Sequence, residues 1–237
     1  MTIAIISDIH ANLEALKRSL EYIKESQIDT IYCLGDIVGY GPNPNECVEL
    51  VRENCQISLM GNHDYAAIGL ANIQYFNEYA KIATYWTRDE LNETNMEFLK
   101  TLPFVYENSE INLVHASPKN PSNWDYVLSV DDAQKQLKSL KQDVCFIGHS
   151  HVPIIFSKSD YYRQSDFAFR AKQKYLVNVG SVGQPRDGDP RCCFVIYDSE
   201  KKHVEYVRLD YEIQKTYNKI TQAGLPVFLA ERLLKGY

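Results

Sequence analysis

Five of the six histidines in this 237-residue chain stand in short polar clusters that close apolar runs. The densest cluster is Gly61-Asn62-His63-Asp64, which follows Ile57-Ser58-Leu59-Met60 and delivers an amide oxygen, an imidazole and a carboxylate in succession. Asp8 and His10 follow Thr2 to Ile6, and Asp36 follows Thr30 to Leu34 through Gly35. His115 follows Ile111 to Val114, and Gly148-His149-Ser150-His151 follows Val144 to Ile147. Side chains of these types ligate divalent metals and move protons. Asp8, His10, Asp36, Asn62, His115, His149 and His151 are too many for one ion. Their mixture of oxygen and imidazole nitrogen suits Mn²⁺, Fe or Zn²⁺ better than Mg²⁺ or Ca²⁺, so two divalent transition-metal ions are expected as cofactors.

The elements that must position these groups are short runs rich in β-branched residues, which read as strands. Open α/β sheets bind ligands outside the carboxyl ends of their strands, so five strands are expected to aim at one rim. Asp8 and His10 are two apart, as are His149 and His151; in extended backbone such pairs share a side and would converge. Leu13, Leu16, Leu20 and Ile23 recur at helical spacing behind Asn12 as a cap. A second helix is expected over Asn45 to Glu53 and another over Asp131 to Lys141. Residues 65–102 read as a helical insertion whose aromatic residues either pack the core or roof the site. Residues 116–129 form a long irregular loop. Strand-like runs at 153–156, 174–179, 192–197 and 204–209 suggest a second, largely antiparallel sheet, and 211–237 is helical with breaks at Gly224 and Pro226. One domain over residues 1–237 accommodates all of this.

In this order, Asp8-Ile9-His10, Gly35-Asp36, Gly61-Asn62-His63-Asp64, His115 and Gly148-His149-Ser150-His151 resemble the calcineurin-like metallophosphoesterase superfamily, from the first strand to the Gly180-Ser181 loop. The stretches Gly35 to Pro42 and Gly180 to Arg191 are similar to those of its small bacterial and archaeal single-domain members. The resemblance implies an α/β fold, a four-layer α-β-β-α sandwich of two mixed sheets with flanking helices plus the insertion. It implies that Asp8, His10 and His151 hold one ion, Asn62, His115 and His149 the other, and that Asp36 bridges. The implied reaction is hydrolysis of a phosphoester by a metal-bridging hydroxide, as a phosphodiesterase or phosphatase, with nucleotides among the candidate substrates. His63, beside a ligand, is expected to protonate the leaving oxygen, and Asp64 to orient its ring. Arg186 and Arg191 are candidates to clamp phosphate unless Asp187 and Asp189 neutralise them. Trp124 and Tyr126 are candidates to stack on a nucleobase. Asn178 and Gly180 resemble residues that back the ligands. The alternative is a non-catalytic protein-binding scaffold on the same fold, as in a retromer subunit; the filled ligand positions and His63 favour the enzyme.

Composition narrows the partners. A net charge of −6 argues against an extended nucleic-acid surface, whereas a small phosphorylated substrate is open because bound dications reverse the local sign. No apolar run approaches the ~20 residues that span a bilayer, and no basic segment with a cleavage site opens the chain, so a cytoplasmic location is expected. The six cysteines form no Cys-x-x-Cys pair and read as reduced, mostly buried residues.

Overall fold

A computed structural model describes residues 1–237. Twelve strands follow along the chain: β1 (Thr2–Ile6), β2 (Ile31–Cys33), β3 (Ile57–Ser58), β4 (Val105–Glu107), β5 (Ile111–Val114), β6 (Val144–Ile147), β7 (Ile154–Phe156), β8 (Tyr161–Tyr162), β9 (Asp166–Ala168), β10 (Tyr175–Asn178), β11 (Cys192–Asp198) and β12 (His203–Leu209). The helices are α1 (Leu13–Glu25), α2 (Pro44–Asn54), α3 (Asn62–Ala67), α4 (Glu78–Glu90), α5 (Glu93–Lys100), α6 (Val130–Leu137), α7 (Ile213–Gln222) and α8 (Val227–Glu231).

Both faces of the central strands are apolar, and that forces layers on either side. Ile3 and Ile5 of β1 enter a buried cluster with Tyr32, Phe146, Val177 and Tyr197, whereas Ala4 and Ile6 join Leu16, Ile23, Val48 and Val51 of α1 and α2. On the other sheet, Cys145 and Ile147 pack with Ala133 and Leu137 of α6. Two six-stranded sheets therefore face each other with helices outside, in the orders β3-β2-β1-β11-β12-β9 and β4-β5-β6-β10-β7-β8. Both are mixed: β1, β2 and β3 pair parallel, as do β5, β6 and β10, and antiparallel strands complete the edges.

The later strands do not make a sheet of their own. β9, β11 and β12 extend the first sheet, and β7, β8 and β10 the second. Apolar runs with two buried faces can pair with either sheet, and the choice rests on long-range register such as Ile5 opposite Val195 and Val177 opposite Phe146.

Local signals hold where the physics is local. Asn12 caps α1 by accepting from the Ala15 N–H at 3.3 Å, and Pro44 opens α2. Ser129 caps α6, which stops at Leu137, short of the expected Lys141. Asn62 itself opens α3, so the helical segment between β3 and β4 begins three residues earlier than expected. No helix is long and apolar enough to cross a membrane. All six cysteines are free thiols, five of them buried.

Candidate metal centre

The carboxyl ends of both sheets meet at one place. Asp8 and His10 follow β1, Asp36 follows β2 and Asn62 follows β3, all in the first sheet; His115 follows β5 and His149 and His151 follow β6, in the second. The rim is thus shared between two sheets rather than owned by one. Backbone bonds stitch the loops together. Asp8 N–H donates to Gly35 and His10 N–H to Asp36 within the first sheet, while Val182 and Gly183, after β10, donate across to Ser7 and Asp8. Ser181 Oγ adds a bond to the Asp8 carbonyl at 2.8 Å.

Convergence does not come from extended backbone. Asp8, His10, Asp36, His149 and His151 all have φ between 49° and 67°, the left-handed region. Such a conformation costs roughly 1–2 kcal/mol for a non-glycine residue and persists only where its surroundings impose it. Here the turned backbone swings neighbouring side chains inward, so the pairs converge through turns and not through strand alternation. Two glycines let the loops close. A Cβ on Gly61 would lie 2.1 Å from Asp36 Oδ1, and one on Gly148 2.4 Å from Asp8 Oδ2.

Imidazole orientation is set from behind. The Nδ1–H of His10 donates to Val38 O, that of His115 to Leu34 O and that of His151 to Gln184 O, at 3.2, 3.1 and 2.6 Å. Each Nε2 is then left as a lone pair facing the cluster. His10 Nε2 and His151 Nε2 lie 3.1 Å apart, two acceptors with no proton between them. Asn62 Oδ1, His115 Nε2 and His149 Nε2 are buried with no hydrogen-bond partner. Lone pairs collected in this way call for a cation. Asp8, His10, Asp36 and His151 place ligand atoms within 4.8 Å of one another, and so do Asp36, His115 and His149; Asp36 belongs to both groups.

The electrostatics hold Asp8 and His149 in their ligating forms, whereas His115 in the ion-free centre favours a proton that a bound cation would have to displace. Burial raises the Asp8 carboxyl, but His151 at 3.2 Å and His115 outweigh it and hold Asp8 well below the usual carboxylate range. Burial lowers the proton affinity of His115, yet Asp36 at 3.4 Å more than compensates and lifts its pKa to about 9. His149 goes the other way: burial, then repulsion from His115, lower it to about 3. The donor set contains imidazole, carboxylate and amide oxygen and no thiolate, and the buried Asp/His cluster fits metal ions.

A family model for the calcineurin-like phosphoesterase superfamily domain matches residues 1–202. The chain belongs to the calcineurin-like phosphoesterase superfamily. An uncharacterized protein of Methanocaldococcus jannaschii is 44% identical over 99% of this chain and 98% of its own. A metallophosphoesterase structure from Sphaerobacter thermophilus superposes with a TM-score of 0.90 at 38% identity, covering 100% of this chain and 99% of that one. A symmetrical bis(5'-nucleosyl)-tetraphosphatase of Nitrosococcus oceani is 29% identical over 60% of this chain, which spans about half (52%) of that enzyme's length.

Within this calcineurin-like centre the remaining candidates fall into different places. The His63 backbone N–H donates to Asp36 Oδ1 at 2.8 Å, and its ring packs against Tyr40 and Phe76, at centroid distances of 4.4 and 5.3 Å. Its Nδ1 has no partner, and burial lowers its pKa to about 4 despite the attraction of Asp36. Asp64 does not orient that ring. Both its oxygens accept backbone N–H groups, from Val38 and Gly61 at 3.0 Å each, so it ties the Asp36 loop to the Asn62 turn.

Arg186 and Arg191 part company. Arg191 is exposed and forked onto Asp189, and Asp187 pairs with Arg208. Arg186 has no carboxylate partner; Gln184 Oε1 holds it at 2.8 Å, and its guanidinium lies 5.9 Å from the Tyr40 ring centre, lowering the proton affinities of His63 and His151 after burial has done so. Trp124 is half-buried against Phe104, Tyr65 and His115, whereas Tyr126 is 50% exposed and stacked on His149 at 4.0 Å. Asn178 backs the ligands as expected, donating to Gly148 O and Ser150 Oγ and accepting from Gly180 N–H. Of the aromatic residues in the helical segment, Phe76 reaches His63, Trp86 and Phe98 pack against buried clusters as core packing requires, Tyr79 stacks on Phe228 of α8, and Tyr75 and Tyr85 face solvent. Sequence reasoning assigned no role to Gln184 or Tyr40. Their signal lay in the two family-like stretches, where only the charged residues drew a reading.

Proposed function

We propose that this protein hydrolyses phosphoester bonds with two divalent transition ions, drawn from Mn, Fe and Zn, and that nucleotides are among its substrates. The observation that carries the reading is the 3.1 Å approach of His10 Nε2 to His151 Nε2, each ring already committed by its Nδ1–H, beside an Asp36 common to both ligand groups. Asp8, His10 and His151 would hold one ion, Asn62, His115 and His149 the second, with Asp36 shared. Ions so held supply Lewis acidity and an activated water.

The protein's own residues supply the rest. Arg186, unpaired and fixed by Gln184, binds a phosphate oxygen on the Tyr40 side. His63, next to a ligand, would give a proton to the leaving oxygen from Nε2, its Nδ1 being buried beside Gly39, with the protonated form favoured by the approaching phosphate charge. Tyr126, half-exposed over His149, offers a stacking face to a base, consistent with likeness to a dinucleoside tetraphosphatase.

The test is metal content and turnover together. Protein loaded with Mn²⁺ is expected to bind two ions and hydrolyse bis-p-nitrophenyl phosphate or p-nitrophenyl phosphate, the ratio reporting diester against monoester preference. Asp36→Asn should lower occupancy and activity more than Asn62→Ala, because its carboxylate serves both ions and the amide only one. One ion at saturation, indifferent to Asp36→Asn, or no turnover with any transition metal, overturns the reading.

A further inference from the structure

At the opposite end of the second sheet the chain gathers positive charge in excess of the carboxylates beside it. A cleft of about 600 Å³ lies between α6, the β7–β8 hairpin and the loop entering β10. Lys138, Lys158, Arg170, Lys172 and Lys174 line it, with Asp160 the only carboxylate. A second cleft of about 510 Å³ shares Arg170 and Lys172, but there Glu110 and Asp143 also line the wall, and Lys141, Lys201 and Lys202 lie beside the carboxylates of Glu107, Asp198 and Glu110. Both sit at the amino ends of β6 and β10, whose carboxyl ends carry the metal centre. Four strand residues at ~3.3 Å each make a separation on the order of 13 Å.

Several other cations of this protein are paired locally. Lys81, Lys100, Lys135, Lys201 and Lys215 each have an acidic partner three residues away on their own segment. Lys138, Lys158, Arg170 and Lys172 have no carboxylate within 4.0 Å, and Lys174 donates only to the Leu140 carbonyl. The four come from three separate segments, so the concentration is a product of the fold rather than of one basic run. Like charges brought together repel, all the more conspicuously in a molecule of net charge −6, and a bound anion removes that cost. Only two of twelve lining residues are apolar, which suits a compact, multiply charged anion better than a hydrophobic ligand.

We propose that this cleft is an anion site for an oligophosphate, separate from the metal centre. The same chemistry is offered by a free phosphate chain or by the triphosphate of a nucleotide. Hydrogen–deuterium exchange on the metal-loaded full chain, with tripolyphosphate or β,γ-methylene ATP as probe, locates binding. Protection is expected in the segments around Lys158 and Lys172. Equal affinities assign the site to the phosphate chain alone, and tighter binding of the nucleotide analogue assigns it to nucleotides. K158E/K172E is expected to weaken binding there roughly tenfold or more while leaving bis-p-nitrophenyl phosphate hydrolysis unchanged. K158Q/K172Q repeats the test without charge reversal. Protection confined to the metal-centre loops, undiminished protection in both variants, or much tighter competition by a thymidine oligonucleotide than by the nucleotide overturns the proposal.

Discussion

His63 touches Asp36 through its backbone and the site through its ring, and these two roles can be separated. His63→Ala keeps the N–H that Asp36 accepts, so both ions should stay bound. Turnover of substrates with poor, alkoxide-like leaving groups is expected to fall ~10²–10⁴-fold. With p-nitrophenolate, which departs unaided, the fall should be much smaller; equal losses would mean that the ring positions phosphate instead. Arg186 and Arg191 make a second contrast. Arg186→Ala should lower kcat/KM about 10- to 100-fold, the worth of a charge-assisted bond, while Arg191→Ala, whose fork already belongs to Asp189, should change it less than twofold. Steady-state kinetics on the two variants decide between them. Which residues converge at the rim was legible in the sequence because chemistry restricts which side chains can ligate a metal. Conformation was not: nothing in Asp8-Ile9-His10 announces a left-handed backbone, which the bonds to Gly35 and Asp36 impose from another loop. For the same reason Asp64 read as a partner for its neighbour His63 when it serves Val38.

Among the elements, the loop after β6 is held tightly, since Gly148 lies against Ser7 and Asp8 with no room for a methyl group. Gly148→Ala is expected to displace the Asp8 carboxylate and lower ion occupancy together with thermal stability. Gly69→Ala provides the comparison: φ is +84°, but nothing lies within 4 Å, so it should cost about 1 kcal/mol of stability and leave metal content alone. Metal analysis beside thermal unfolding reads both quantities. If Gly148→Ala bound a full complement of ions, the close approach would not be what sets the Asp8 position. Helices with a local signature were readable, α1 from its leucine spacing and Asn12, α2 from its prolines. The end of α6 was not, because Lys138 to Lys141 can extend a helix and tertiary packing, not propensity, stops it.

At the scale of the whole molecule, the metal centre is a joint between two sheets, so its occupancy bears on the stability of both. Ions that bind only the folded chain stabilise it by about 2.7 kcal/mol at a hundredfold excess over Kd. For a chain of this size that is roughly 5–10 °C, and a chelator should lower the melting temperature by that much. An unchanged melting temperature would mean that the cluster holds no ion in the native state. The distribution of β7 to β12 between the two sheets was beyond local reading, since the deciding partners are distant in sequence. The basic cleft was hidden in the same way, behind a negative total charge.

The bonds from Val182 and Gly183 to Ser7 and Asp8 also order events during synthesis. A nascent chain that has left the ribosome through His151 already owns every proposed ligand, yet the last bonds onto the Asp8 backbone form only when the turn beyond β10 emerges and folds back. Before that, the bonds from Asp8 to Gly35, His10 to Asp36 and His149 to Asp8 hold only part of the rim. The rim is thus completed by its last-made part, which returns to hold the loop of its first-made candidate ligand.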